Sequence, residues 1–419
     1  MSALSRPEAG RWRRLVPAAF VTYSLAYLDR TNFGIATASG MAASLGIDGK
    51  RSSLLGAMFF LGYFIFQVPG TLLAERMGIR RLVFLCLLLW GAMASLTGWI
   101  SSIPCLYAVR FTLGAAEAAV LPSMIVYLNR WFTRGERARV SSLLILGNPV
   151  TVVWMSVASA FLVRSFGWRW MFILEGAPAI LWAGAWWLLA DERPADAPWL
   201  QETERQMLSE QMEREQGSIR PMGGIGEAFA SPVVLCLCAQ YFCWSLGLYG
   251  FVLWLPSILG QATSFGIVRI GLLAALPYLF AVPAMLVNSS ACDRRGDRVR
   301  HIWPFLAAAA LAFYGSRLLG PSHFGWSFAL LAAAGICMYA PYGPFFALIS
   351  ELLPRNVAGG AVALVNSLGA LGGFAGAYLV GLLGGAGGDP SRAYALMCAA
   401  LLVSAILIGV VPRLAARGN

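Results

Sequence analysis

Long apolar runs separated by short polar turns occupy nearly the whole chain. Read in windows of about 19 residues, it contains about twelve stretches long enough to cross a bilayer as helices, each needing about 20 apolar residues. They centre near Ala26, Tyr63, Trp90, Glu117, Thr151, Ala179, Leu246, Leu279, Ala312, Cys337, Leu371 and Leu402. This pattern predicts an all-α integral membrane protein with twelve transmembrane helices. The first run is long and is interrupted by Asp29 and Arg30, with no small-residue cleavage site, so it is expected to stay in place as a membrane helix.

Six runs precede a polar stretch from Asp191 to about Gly226, and six follow it. The expected organisation is an N-terminal bundle over 1–190, a cytoplasmic connector over 191–226 and a C-terminal bundle over 227–419. Glu202, Glu204, Arg205, Glu210, Glu213, Arg214 and Glu215 give the connector a mixed-charge pattern that suits a solvated, partly helical segment. The two halves echo each other. Glu75-Arg76-Met77-Gly78-Ile79-Arg80-Arg81 follows the second run, and Asp293-Arg294-Arg295-Gly296-Asp297-Arg298 follows the eighth. Pro122 and the basic loop from Trp131 to Arg139 correspond to Pro341, Pro344 and the Leu352 to Arg355 loop. Repeated halves place a substrate site between them near the midplane, reached from each side in turn. Glycine in the two short loops permits positive φ. Their charges, Glu75, Arg76, Arg80, Asp293, Arg294 and Arg298, are candidates for ion pairs that gate the inner helix ends.

Composition agrees: 58% of residues are hydrophobic and 12% charged, far from the roughly one-quarter charged of a soluble chain. The net charge of +11 raises the question of nucleic acid, but the basic residues follow the membrane. With both termini cytoplasmic, about 22 Arg fall on the inner side against a handful of Lys or Arg outside, as the positive-inside rule requires. Arg76, Arg80 and Arg81, then Arg130, Arg134, Arg137 and Arg139, then Arg294, Arg295, Arg298 and Arg300 form the inner clusters. No nucleic-acid partner is expected, and a multi-pass protein of a cell inner membrane is. The eight cysteines lie in or beside apolar runs, without metal-ligand spacing, and read as packing residues. His301 and His323 both lie near helix ends, which makes a histidine metal site improbable. No phosphate-cradling loop and no Asp-rich or His-rich loop is visible, which argues against ATP drive and against a membrane enzyme. No cofactor is expected.

Charges inside the apolar runs carry the functional signal, because ionisable groups at mid-membrane are expensive. Asp29 and Arg30 lie in the first run, Arg110 and Glu117 in the fourth. Arg110 and Glu117 are separated by about two helical turns, roughly 10.5 Å, and share one helix face. With both carboxylates ionised against both arginines, the empty site is formally neutral. An arriving organic carboxylate makes it negative, which favours uptake of a proton by Asp29 or Glu117. Arginine suits the anion because its planar fork holds a carboxylate through two charge-assisted hydrogen bonds. A purely structural reading, two ion pairs locking helices, competes with this. Tyr63, Asn148, Tyr249 and Asn366 are further substrate-binding candidates, with Gln67 and Tyr278 behind them. Glu175 reads as a structural partner of Arg169 or Arg164, and Arg317 as an outer-end arginine that snorkels. The second half has almost no deep charge and is expected to contribute shape, through stretches such as Tyr339 to Pro344 and Gly369 to Gly376.

The acid-Arg-x-Gly-x-Arg loop in both halves of a twelve-span chain resembles the signature of the major facilitator superfamily. Tyr27-Leu28-Asp29-Arg30-Thr31-Asn32, Arg110-Phe111 through Ala116-Glu117, Gly167-Trp168-Arg169-Trp170-Met171-Phe172 with Glu175-Gly176, and Asp191-Glu192-Arg193-Pro194-Ala195-Asp196-Ala197-Pro198-Trp199-Leu200 together resemble its anion:cation symporter branch. Bacterial members of that branch import sugar acids, tartrate or aromatic carboxylates. The resemblance spans the chain and is densest in the first half. It implies two pseudo-symmetric six-helix bundles, a monomer, proton coupling at Asp29 and Glu117, and substrate or access roles for Arg30 and Arg110. Glu75 departs from the usual Asp, keeping charge and lengthening reach; Asn148 stands where some relatives carry Gln, which leaves substrate choice open. The expected function is import of an organic anion with protons by alternating access. An exporter or facilitator of another small molecule is the alternative, and the residue types leave the anion, the proton number and sodium coupling open.

Overall fold

A computed structural model describes residues 6–133, 135–217, 224–262, 267–353, 355–384 and 390–418. The described residues form helices joined by short turns. The first bundle comprises α1 (Arg6–Ala36), α2 (Gly49–Met77), α3 (Ile79–Thr97), α4 (Ile103–Asn129), α5 (137–166) and α6 (168–189). The second comprises α7 (Pro232–Ala262), α8 (Ile267–Arg295), α9 (Trp303–Leu319), α10 (Phe324–Leu352), α11 (Arg355–Gly384) and α12 (Pro390–Gly418). Among the described residues, eleven helices are long and apolar enough to cross a membrane by length and composition alone. The twelfth is α1, whose 31 residues include the polar groups that lower its hydropathy. Leu181, Leu188 and Ile406 are 78%, 76% and 66% exposed on outer faces, where lipid covers them. Trp99 and Trp326 are exposed near helix ends, where indoles suit the membrane–water boundary.

Local sequence explains the breaks. The chain turns from α5 into α6 at Gly167, whose φ of 82° is the left-handed region that favours glycine. Gly78 and Gly296, the repeated loop glycines, also have positive φ, 89° and 72°. Proline interrupts α4 and α10 at corresponding places: α4 opens just after Glu117, ahead of Pro122, and α10 opens around Ala340, ahead of Pro344. A proline has no N–H for the carbonyl four residues back. In α10 that carbonyl, Ala340 O, accepts from Asn288 Nδ2 at 2.9 Å, while Asn288 Oδ1 lies 2.9 Å from His301 Nδ1. Polar side chains in the second bundle thus repair a backbone that its prolines open.

Small residues let backbones meet inside each bundle. A Cβ on Gly114 of α4 would lie 2.8 Å from the Phe59 carbonyl carbon of α2, and one on Gly372 of α11 would lie 3.0 Å from Phe242 Cα of α7. The bundles meet along α2 with α11 and α5 with α8, two crossings that the internal repeat makes equivalent. The connector is less solvated than its charge pattern predicts. Its helix, Glu202–Gly217, buries Leu208 and Met212 and is tied to the first bundle by Arg11–Glu204 (3.3 Å) and Arg137–Glu215 (3.0 Å). Glu192 accepts from the backbone N–H groups of Ile79 and Arg80 at 3.1 and 3.0 Å, capping α3, and pairs with Arg130 at 2.7 Å. Arg134 and residues 218–223 of the connector lie outside the described residues.

Candidate functional site

Near the middle of the molecule a cavity of about 20 Å³ lies between the bundles, room for about one water molecule. Its first-bundle wall includes Tyr23, Arg30, Tyr63 and Asn148, and its second-bundle wall includes Tyr241, Ser245, Tyr249, Tyr342 and Asn366. Five of the six residues read from sequence as substrate-binding, Arg30, Tyr63, Asn148, Tyr249 and Asn366, therefore line one space. Asn366 Nδ2 reaches Tyr63 Oη at 3.4 Å, and Ser367 Oγ donates to Phe64 O at 2.8 Å, so α11 and α2 close against each other here. Asn148 Oδ1 is buried and unpartnered among the described residues. Tyr241, Ser245 and Tyr342 were missed in sequence because an aromatic or small polar residue in an apolar run looks the same whether it packs or lines a cavity. Gly369 makes room for the Tyr241 ring, so the glycine-rich stretch of α11 does shape this wall.

Arg30 is the charged member of the lining. Its Nε donates to Glu117 Oε2 at 3.4 Å, with the two side chains 7% and 0% exposed. The guanidinium sits 4.6 Å from the Tyr63 ring centroid, with Phe59 and Tyr27 at 5.4 and 5.5 Å. Glu117 Oε1 is buried without a partner among the described residues. The break in α4 lies directly after Glu117 and sets this carboxylate at a bend.

Arg110 lies beside this group, outside the cavity lining. Nη1 donates to the backbone carbonyl of Asp29 at 3.1 Å, the guanidinium covers Phe33 at 4.7 Å, and Nε has no partner among the described residues. The sequence reading of two carboxylate–arginine pairs is therefore half met. Arg30–Glu117 forms, whereas among the described residues no guanidinium lies within ion-pair distance of the Asp29 carboxylate. Asp29 Oδ1 instead accepts from Asn32 Nδ2 at 3.1 Å. Asp29 and Arg110 are each 2% exposed and face the protein interior, not lipid.

Glu175 also departs from its sequence reading. It accepts from Asn32 Nδ2 at 3.0 Å and from the Ser159 hydroxyl. Arg169 is turned away from it, donating to Gly98 O and Ile100 O at 3.0 and 3.2 Å and to Ser101 Oγ at 2.9 Å, because the turn after α3 leaves those carbonyls without helical partners. Gln67 is buried with neither amide atom partnered among the described residues, and Tyr278 packs on Tyr339 away from the cavity.

The membrane face that carries the connector is closed below the cavity. Arg139 at the start of α5 lies 3.6 Å from Asp293 at the end of α8, and its backbone N–H donates to the same carboxylate at 3.2 Å. The Ser142 and Ser289 hydroxyls touch, and Asn129 Nδ2 donates to Ser350 Oγ at 3.1 Å. Glu75 rests against Gly359 in the first turns of α11, where a Cβ would come within 2.7 Å of its carboxylate; the positive end of the helix dipole favours an anion there. Of the loop charges read as gating, Asp293 and Glu75 thus contact the opposite bundle. Arg298 binds Asp293 (2.7 Å) and Glu351 (2.6 Å) within its own bundle, Arg80 binds the Trp187 carbonyl within the other, and Arg76 and Arg294 are exposed.

The fold has a counterpart among solved structures. The proton:xylose symporter XylE, in its complex with 6-bromo-6-deoxy-D-glucose, matches with a TM-score of 0.73 at 13% identity, covering 93% of this chain and 94% of its own. That likeness establishes the fold. In sequence, the chain is 33% identical to a protein of Agrobacterium vitis named "Putative tartrate transporter", over 96% of this chain and 90% of that protein. It is 30% identical to the quinolone resistance transporter of Acinetobacter baumannii (88% and 86% covered) and 28% identical to the inner membrane transport protein RhmT of Escherichia coli K12 (86% and 85%). The family model of the major facilitator superfamily matches residues 19–377. The chain is a multi-pass membrane transporter for small substrates, not an enzyme, and it belongs to the major facilitator superfamily.

Proposed function

We propose that the protein is a secondary active symporter that brings an organic anion, a carboxylate, into a bacterial cell together with protons. The observation that carries this reading is the Arg30–Glu117 pair at the wall of a cavity built from both bundles. A carboxylate entering that cavity meets one guanidinium already occupied by a protein carboxylate. It binds Arg30 by displacing Glu117, and a displaced, unpaired carboxylate at 0% exposure costs several kcal/mol if it stays charged. A proton on Glu117 removes that cost, so anion and proton are taken up together. The tyrosine hydroxyls and the Asn148 and Asn366 amides supply donors and acceptors for the rest of the anion. Arg110 and Asp29 set the field beside the pair, with Asp29 as a second proton carrier.

Alternating access follows from the two equivalent crossings. The present conformation is closed on the connector face by Arg139–Asp293 and its neighbours, and the cavity is too small for an organic acid, so loading requires the bundles to part. In this reading both termini are cytoplasmic, the protein lies in the cell inner membrane and it acts as a monomer; the arginine bias of the connector face supports the orientation. The name of the Agrobacterium relative supports an anion cargo, whereas that of the Acinetobacter relative favours export as the second reading. Purified protein in liposomes decides between them. Uptake of tartrate, gluconate and benzoate is followed with the lumen alkaline and then with no pH gradient. Accumulation of one of them, dependent on the gradient, is expected; equilibration without accumulation, or transport of cations in preference to anions, refutes the reading.

A further inference from the structure

Glu175 lies outside the mechanism above, yet it is a carboxylate 7% exposed inside the membrane-spanning part of the first bundle. It lies about two turns, roughly 10 Å, from the α5–α6 turn on the face opposite the connector. Asn32 joins it to Asp29: the single Nδ2 donates to Glu175 Oε2 at 3.0 Å and to Asp29 Oδ1 at 3.1 Å. Two carboxylates within hydrogen-bond distance of the same nitrogen are at most about 6 Å apart. Asn32 itself is fully buried, and its Oδ1 has no hydrogen-bond partner among the described residues. An acceptor beside two carboxylates can be satisfied by the O–H of whichever one is protonated.

We propose that Glu175 and Asp29, bridged by Asn32, form a carboxyl pair that receives the transported proton from the outer side, with Glu175 as the entry group. The charged groups that face the pair are Arg30 on α1 and Arg110 and Glu117 on α4; α3 contributes Ser95 and no charge at the contact with Gly176. Arg169 is engaged with the carbonyls after α3, so Glu175 has no ion-pair partner among the described residues. Glu175 is 7% exposed, against 2% at Asp29 and 0% at Glu117, so it is the most accessible of the three acids. A proton taken from outer water converts the Glu175 carboxylate to the acid; its transfer to Asp29 regenerates the Glu175 carboxylate, its onward transfer to Glu117 as the anion displaces that group regenerates the Asp29 carboxylate, and release from Glu117 after inward opening completes the cycle.

This inference rests on proton-coupled symport for its role in transport, but the pair can be tested without any anion. Infrared difference spectra of the purified protein, recorded across a pH series, follow the carbonyl stretch of protonated acids. In the wild type the two acids are expected to titrate in two coupled steps; Glu175→Gln removes one and displaces the other, and Asp29→Asn does the reciprocal. If each variant leaves the remaining acid titrating as in the wild type, the pair is overturned. In liposomes, Glu175→Gln is expected to lower pH-driven accumulation of whichever of tartrate, gluconate or benzoate the wild type accumulates by about tenfold or more, while one-for-one exchange of that anion continues. A merely structural Glu175 would lose both together, with lower thermal stability, and that result overturns the proposal. Reciprocal coupling in the spectra without pH-driven uptake by the wild type would keep the pair and remove the symport reading. The converse result would remove the pair alone.

Discussion

Replacing Glu117 with Leu separates the energetic role of the Arg30–Glu117 pair from its role in transport. The substitution removes the carboxylate 3.4 Å from Arg30 Nε and leaves a guanidinium at 7% exposure. Loss of one partner of a buried pair costs about 3–5 kcal/mol, much of it the penalty for the charge left behind. Arg30 keeps the faces of Tyr63, Phe59 and Tyr27 at 4.6, 5.4 and 5.5 Å. Such contacts contribute about 0.5–2 kcal/mol each, so the loss is expected at the low end, about 3 kcal/mol. Unfolding in mixed micelles of increasing SDS content measures it. The double variant Arg30→Met with Glu117→Leu removes both charges at similar volume and is expected to recover to within about 1.5 kcal/mol of the wild type, while pH-driven uptake stays abolished. A single variant costing under about 1 kcal/mol would show that the pair is not electrostatically buried. A double variant that still accumulates the anion would show that the pair only holds α1 against α4.

The remaining expectations follow from the same geometry. Gly114→Ala drives a Cβ to 2.8 Å from the Phe59 carbonyl carbon, where backbone cannot yield, and is expected to cost about 1–3 kcal/mol in the same unfolding assay; Gly184→Ala, which meets nothing within 4 Å, should change stability by less than about 1 kcal/mol. Arg139→Ala removes the side-chain contact to Asp293 and is expected to raise labelling of a single cysteine at the buried Ser289, by a thiol reagent added on the connector face, several-fold; an unchanged rate would remove Arg139 from the closure. Asn366→Ala is expected to raise KM for the accumulated anion by about tenfold with a smaller effect on maximal rate, and an unaltered KM would show that this amide only packs against Tyr63.

The sequence discloses the membrane helices because a bilayer imposes one simple demand, a long apolar run, on each of them. It discloses Asp29, Arg30, Arg110 and Glu117 for the converse reason, since a charge in such a run is conspicuous. Which charge meets which depends on contacts between distant segments. Arg30 and Glu117 are 87 residues apart and Asn32 and Glu175 are 143 apart, and neither spacing carries a signal. Asn32 sat beside Asp29 in the quoted motif, but an amide in a membrane helix is ordinary until its partners are known. The docking of the connector is hidden in the same way, because Arg11 reaches Glu204 across 193 residues. Mixed charge on a helix looks solvated whether or not a basic neighbour covers it.

Simultaneous recording of anion and proton movement in one set of liposomes tests the central claim most directly. With an inward gradient of the accumulated anion, no pH gradient and the membrane potential clamped, the wild type is expected to alkalinise the outer medium in step with anion entry, and Glu117→Gln to exchange anion without moving protons. Anion entry with no accompanying proton uptake by the wild type would contradict the account.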